Sequence, residues 1–409
     1  MPVMRWPEET EPFMYGLTHA LMGEKGFKEL MQRVEYGGCP AVYSGLSPIH
    51  KSHVAAALRR ESGRPLVLIC PDELEAERIR GDLETLCQEE VWTLYGREFT
   101  FFHADSVSRE GEQTRLRTLL ALLRERAGVV VTTPDGLMQR TLPPDRLDSA
   151  CAQVRQGGED GPEKLTEALL LCGYQRYDAV EGPGQFARRG GIVDFFSPAA
   201  SLPVRCEFFG DELDSMGYFD PETQRRTENL RETVLLPAAE ALPALAEGGE
   251  EGLADRLEEL LKRVRKRKNP SRDLIRVMEE DLERLRQRLP LNSADKYMAL
   301  SFSRMTCGAD YIPADAVVLM EEPAACAERG KNWLWQLGED TATLLESGQL
   351  EGGLAEFCRS WDEVCDGLRD YPLAYLDSFR GSAYPLAPRG LQSSDQRIII
   401  HVISACAVK

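Results

Sequence analysis

Five short apolar runs separated by helix-forming stretches constrain this chain more than any other feature of it. They are Ala41-Val42-Tyr43, Pro65-Leu66-Val67-Leu68-Ile69-Cys70, Val91-Trp92-Thr93-Leu94-Tyr95, Val129-Val130-Val131-Thr132-Thr133 and, far downstream, Ala316-Val317-Val318-Leu319-Met320. A continuous apolar strand is buried on both faces, which implies a parallel sheet with helices packed on either side. Residues 51–60, the charged stretch from the cap Asp72 to about Leu86, and residues 113–126 favour helix. The sequence therefore predicts an α/β domain of the nucleotide-binding type.

From about Asp145 the pattern changes. Runs at 191–196, 203–209 and 215–219 alternate between short Gly-containing turns, and residues 163–171 read as a helix. That predicts an inserted α+β domain of antiparallel strands, closed near Pro237. Residues 250–290 read as two charged amphipathic helices, with Leu253, Leu257, Leu260, Leu261 and Val264 on one stripe and Leu274, Val277, Met278, Leu282 and Leu285 on another. Asn269-Pro270-Ser271 separates them. The run at 316–320 is expected to return to the first sheet. The predicted division is a first part of the nucleotide-fold domain over 1–144, the insert over 145–240, and the second part with the charged helices over 241–345. Residues 346–409 read as a linker or the start of a next domain, truncated within an apolar tail at 392–406.

Composition narrows the function classes. Among 409 residues, 67 Asp and Glu oppose 49 Lys and Arg, a net charge of −18. A surface of that sign repels phosphate backbones except at a local basic patch. The eleven cysteines stand singly without a C-x-x-C pair, as reduced buried thiols do. The start of the chain lacks the apolar core of a signal peptide, and no run reaches the ~18 apolar residues of a membrane span. A cytoplasmic protein with no membrane partner is expected. His19, His50, His53, His103 and His401 offer neither metal spacing nor a catalytic triad.

Four constellations carry candidate chemistry. Gly45-Leu46-Ser47-Pro48-Ile49-His50-Lys51-Ser52 sits between a strand and a helix, where a phosphate-binding loop belongs. Lys51 and Ser52 are in register with such a loop, but His50 replaces its second glycine and Pro48 removes a backbone donor. It reads as a degenerate nucleotide loop or an ordinary turn. Glu321 and Glu322 end the last strand where a P-loop enzyme keeps its magnesium-ordering Asp, so this reads as a degenerate Walker B pair or as two solvated acids. Arg176, Phe186, Arg188 and Arg189 lie in a Gly-rich β region; arginines and aromatics of this kind anchor protein interfaces, or else guard a strand edge. The basic run at 262–268 closes a helix, where cations complement the dipole, and Glu258, Glu259, Glu279 and Glu280 flank it; it reads as a solvated helix end, with contact to phosphates the weaker alternative.

The residues also resemble a family. Residues 173–196, Glu207-Phe208-Phe209-Gly210-Asp211-Glu212-Leu213-Asp214-Ser215 and Phe219-Asp220-Pro221-Glu222-Thr223-Gln224-Arg225 occur in order, supported by 104–108 and 134–140. Together they resemble the UvrB-homology module of nucleotide-excision repair. The eroded loop at Lys51 favours the version at the N-terminus of bacterial transcription-repair coupling factors, over about residues 40–390. The resemblance implies a degenerate P-loop-NTPase-like domain and no cofactor for this chain, with ATP and magnesium used by a motor that would lie beyond residue 409. It implies UvrA as the partner of Arg176, Phe186, Arg188 and Arg189, and RNA polymerase and DNA as partners of the missing domains. It further implies that the module restrains the motor. Where UvrB has a further Arg, this chain has Ala187 followed by Arg188. The competing expectation is an ATP-dependent, UvrB-like or helicase-like DNA-remodelling enzyme using Lys51 and Glu322.

Overall fold

Each apolar run becomes a strand, those at 66–69, 129–132 and 317–321 buried on both faces, in a computed structural model that describes residues 16, 18–99, 101, 109–379 and 384–388. The sequence segments 104–108 and 392–406, with His103 and His401, lie outside the described residues. In chain order, α1 (Lys25–Tyr36), β1 (Ala41–Ser44), α2 (Pro48–Ser62), β2 (Leu66–Ile69), α3 (Glu73–Cys87), β3 (Val91–Leu94), α4 (Glu110–Leu123) and β4 (Val129–Thr132) come first. The insert follows as β5 (Ala152–Arg155), α5 (Gly161–Leu171), β6 (Gln175–Arg176), β7 (Gln185–Arg189), β8 (Ile192–Phe195), β9 (Val204–Phe209), β10 (Glu212–Phe219), β11 (Arg226–Asn229) and β12 (Glu232–Leu235). The chain then forms α6 (Gly249–Arg265), α7 (Arg272–Arg286), β13 (Val317–Glu321), α8 (Pro323–Glu346) and β14 (Leu373–Asp377).

The first sheet has the order β1-β14-β13-β2-β4-β3, and every pair in it is parallel. Alternation along each strand divides its side chains between two apolar layers. Val67, Ile69, Val130, Val318, Met320 and Tyr375 face one layer, with Leu116 and Leu119 of α4. Leu66, Leu68, Val129, Val131, Val317 and Leu319 face the other, beneath α1, α2 and α3. The return of the 317–321 run to this sheet follows the sequence expectation. The region from 346 onward differs from its reading as a linker, because Leu373–Asp377 slots between β1 and β13. Five residues, bounded by Pro372, carry too little periodicity to be told from a buried helical turn.

The insert is built on a six-stranded sheet, β11-β10-β9-β8-β7-β6, antiparallel except for the two-residue edge pair β6–β7. Leu165 and Leu169 of α5 cover one face, packing on Phe186, Val193, Phe195, Val204, Cys206 and Met216. The chain enters and leaves through one antiparallel ladder, β5 with β12.

A buried polar knot fixes this entry and exit to the larger domain. Glu240, fully buried just after the insert, lies with Oε1 3.1 Å from Arg115 Nε and 3.4 Å from Arg97 Nε. Arg97 also grips Asp295 with both terminal nitrogens, at 2.6 and 3.1 Å. Arg115 donates to the carbonyls of Gly136 (2.7 Å) and Tyr95 (2.9 Å), and the Glu240 N–H donates to Glu112 at 2.8 Å. Burial pushes the Glu112 carboxyl above its ordinary range despite the nearby Arg97. Removing one member of such a cluster leaves a buried charge uncompensated. Glu240→Leu is expected to destabilise the chain by about 3 kcal/mol in urea unfolding, whereas Glu232→Ala, in the exposed ladder pair with Arg155, should leave the midpoint nearly unchanged.

Candidate functional site

The two halves of the sequence-predicted nucleotide apparatus meet at the C-terminal edge of the parallel sheet, the edge at which open α/β sheets bind ligands. β1 turns at Gly45, whose φ of +85° lies in the region that favours glycine. Ser47 then caps α2, and Pro48 takes the first helical position, where its missing N–H is not needed. His50 reaches back to the cap, its Nδ1 3.4 Å from the Ser47 N–H and 3.0 Å from Ser47 Oγ. Burial lowers the His50 pKa, which favours the neutral ring that can accept there. The side chain that replaces the loop glycine therefore works as a helix cap.

Lys51 follows on the buried side of the same turn, 2% exposed. Its Nζ donates to Glu321 Oε1 at 2.9 Å and to Glu322 Oε1 at 2.6 Å. Glu322 Oε1 also accepts the Ser378 N–H just beyond β14 at 2.8 Å. Ser52 Oγ donates to Asp82 Oδ2 at 2.7 Å, and that oxygen also accepts from Arg78 at 3.1 Å. The geometry corrects the reading of Glu321 and Glu322 as solvated acids: Glu321 is buried, and both close on Lys51. A triphosphate does not fit these residues. It would have to displace both carboxylates from Lys51 and leave the buried Glu321 with an uncompensated charge.

The electrostatics follow from burial and pairing. Burial alone would lower the Lys51 pKa, but hydrogen bonds to Glu322 and Glu321 outweigh it and the ammonium is held above its ordinary range. At Glu322, burial is likewise outweighed by hydrogen bonds from Lys51 and Ser378, so its carboxyl stays low. At the deeper Glu321 burial prevails and the carboxyl is raised. Glu322 itself sits at φ +44°, a left-handed conformation that is strained for a residue preceding proline.

The arginine region separates into two faces, because consecutive strand residues point to opposite sides. Phe186 is fully buried against α5 and packs the insert, so it is corrected from a contact residue to a core residue. Arg188, on that same side, closes on Glu163 of α5. Arg189 is on the outer side, its side chain 55% exposed, and donates to Asp194 Oδ2 at 2.7 Å. Arg176 is exposed on the edge strand β6.

Two further residues of the outer face escaped the sequence reading. Asp194 is buried beneath Arg189 and is also gripped by Arg205, at 2.7 Å from Nε and 2.9 Å from Nη2. Arg205 lies over the Phe219 ring, 4.6 Å from its centroid. Asp194 and Arg205 are direct cross-strand partners. Strand alternation places both beside Ala187, so register was the signal that could have found them. Beside Arg189 stands its cross-strand partner Ile192, partly exposed. The outer face thus presents fixed guanidinium groups next to apolar surface, an arrangement suited to binding an acidic protein surface.

Among the described residues no group of His, Cys, Asp and Glu is arranged to hold a metal ion. No described helix is long and apolar enough to cross a membrane. Cys70, Cys172, Cys206, Cys307, Cys326 and Cys365 are buried free thiols.

Residues 153–240 match the family described as the UvrB interaction domain. The chain is 27% identical over 329 residues to the transcription-repair-coupling factor of Bacillus subtilis (strain 168), a match covering 79% of this chain and 28% of that protein. It is 24% identical over 372 residues to the corresponding factor of Staphylococcus aureus (strain MRSA252), covering 89% and 31%, and 24% identical over 368 residues to that of Staphylococcus haemolyticus, covering 88% and 30%. The resemblance read from the sequence is borne out, and the chain spans less than a third of the length of these relatives.

The Lys51 tie has a defined pH window. Lys51, with its raised pKa, contributes stability that is present below the ordinary lysine value of 10.5 and lost as pH rises through the higher folded value. Glu322, with its lowered pKa, contributes stability that is present above 4.5 and lost as pH falls through the lower folded value. Glu321 has the opposite sign, its burial becoming easier as it protonates. Lys51→Met should therefore cost about 3 kcal/mol at pH 8. The loss should be smaller at pH 5, where the stranded Glu321 takes up a proton. Urea unfolding of variant and parent at both pH values checks this, and an equal loss at both would contradict it.

Proposed function

We propose that this chain is a recruiting module of transcription-coupled nucleotide-excision repair that binds UvrA through the outer face of its insert. The observation that carries the reading is the exposed Arg189, held by Asp194 beside Arg205 within the segment that matches the UvrB interaction domain. Arg176 is exposed on the edge strand β6, in register with Phe186 and so on the other side of the sheet from Arg189; it adds a contact at the sheet edge, whereas Arg188 serves α5. RNA polymerase and DNA are partners of the regions that the longer relatives carry beyond this match, where ATP and magnesium would also be used. Restraint of a motor by this module belongs to the same reading, as does a cytoplasmic location.

The parallel-sheet domain then acts as a scaffold of degenerate P-loop type. The competing reading, an ATP-dependent DNA-remodelling enzyme using Lys51 and Glu322, would require the two buried carboxylates to leave Lys51. Millimolar ATP with magnesium is expected to leave the melting temperature unchanged, and a rise that Lys51→Ala abolishes would favour the enzyme.

The interface is tested by calorimetry with UvrA. Arg189→Ala and Arg176→Ala should each weaken binding, by at least about 2 kcal/mol where the residue is a hot spot. Arg188→Ala should change little. Phe186→Ala should lower stability rather than affinity alone, because it opens a cavity against α5. Unchanged affinity in Arg189→Ala removes the outer face from the proposal, and unchanged affinity in Arg176→Ala removes the sheet edge.

A further inference from the structure

Seven basic residues lie between Lys262 and Arg272 with no acid among them, in a chain of net charge −18. The fold carries all seven to one place. They occupy the last turn of α6, the first three residues of the connection (Lys266, Arg267 and Lys268) and the first residue of α7. The two helices bury Leu257, Leu261 and Val264 with Leu274, Met278 and Leu285 in a common core, and all seven basic side chains are exposed at the turn. Lys262 pairs with Glu258, Arg265 with Glu279 and Arg267 with Glu351. Arg263, Lys266, Lys268 and Arg272 have no ion-pair partner among the described residues.

Helix stability does not account for this tip. Cations in the last turn of α6 complement its dipole, but Lys268 lies past the helix end. Arg272 is the first residue of α7, where the dipole disfavours a cation. The composition also distinguishes between partners. The only aliphatic side chain from 262 to 268, Val264, is buried, and no aromatic residue is present through Arg272. The tip therefore lacks the apolar and aromatic anchors of a protein interface, in which lysine is moreover depleted. It equally lacks the stacking platforms that hold single-stranded bases. What it presents are point charges, which position a protein on phosphates without reading bases. The acidity of the rest of the chain confines any such contact to this tip.

We propose that the tip of the α6–α7 hairpin is a sequence-independent contact for the phosphate backbone of a nucleic-acid duplex. The test uses the whole chain and a fluorescein-labelled DNA duplex of about 20 base pairs, followed by anisotropy from about 25 to 200 mM KCl. Binding at low salt should be equal for two unrelated sequences, with log K falling against log salt at a slope near −4 if the four unpaired cations each meet a phosphate. The double variant Lys266→Glu/Lys268→Glu should lose at least about tenfold in affinity and reduce the slope by about 2. Neither residue has an ion-pair partner to lose, so the urea midpoint should stay at the parent value, and Lys266→Gln/Lys268→Gln should give an intermediate loss. Parent-like affinity in the Glu variant would overturn the proposal, as would absence of duplex binding at the lowest salt. Equal or tighter binding of polyglutamate would overturn it in favour of an acidic protein surface. Tighter binding of oligo(dT) would overturn it in favour of a single-strand site.

Discussion

One buried ammonium group organises the functional edge of the parallel sheet. Lys51 comes from the first turn of α2, Glu321 and Glu322 from the end of β13, and Ser378, which binds Glu322, from just beyond β14. Desolvating three charges is costly, and the geometry offsets that cost only because both carboxylates lie within hydrogen-bond distance of one donor. At this edge a related fold would hold an anionic ligand, and here the chain supplies the anions itself. The substitutions that look like damage in the sequence are mutually consistent. Pro48 and His50 serve the start of α2, and a glutamate at 321 has the reach to meet Lys51 directly.

The second polar centre has a different task. Glu240, Arg115, Arg97 and Asp295 come from the end of the insert, from α4, from the loop after β3 and from the segment leading to β13. Together with the β5–β12 ladder they give the insert a fixed root, while its sheet is free to display an outer face. Asp194 organises that face in turn, as one buried carboxylate holding two guanidinium groups in fixed orientation. Fixing a long side chain before binding reduces the entropy lost on association, which suits an interface built on few residues.

Much of the fold was legible because burial on both faces leaves an unmistakable pattern. The runs at 66–69, 129–132 and 317–321 needed no partner information to be read as interior parallel strands. β14 was not legible, since Leu373-Ala374-Tyr375-Leu376-Asp377 is too short to show a period and its role depends on a gap between β1 and β13. Lys51, Glu321 and Glu322 were each visible as candidates from their positions at strand ends. Their direct pairing was not, because it joins residues 270 and 271 positions apart.

The sequence by itself determined most of the strands and helices and the residue types available at each strand end, because these depend on local periodicity and turn chemistry. Only the tertiary structure decided what those residues do. Strand alternation puts Phe186 and Arg189 on opposite faces, and the fold turned Phe186 inward and Arg189 outward by setting which face α5 covers. It joined Lys51 to two carboxylates rather than leaving it open to phosphate. Each outcome rests on distances between segments remote in the chain or on the side from which a neighbour packs, and neither is encoded in any local stretch of sequence.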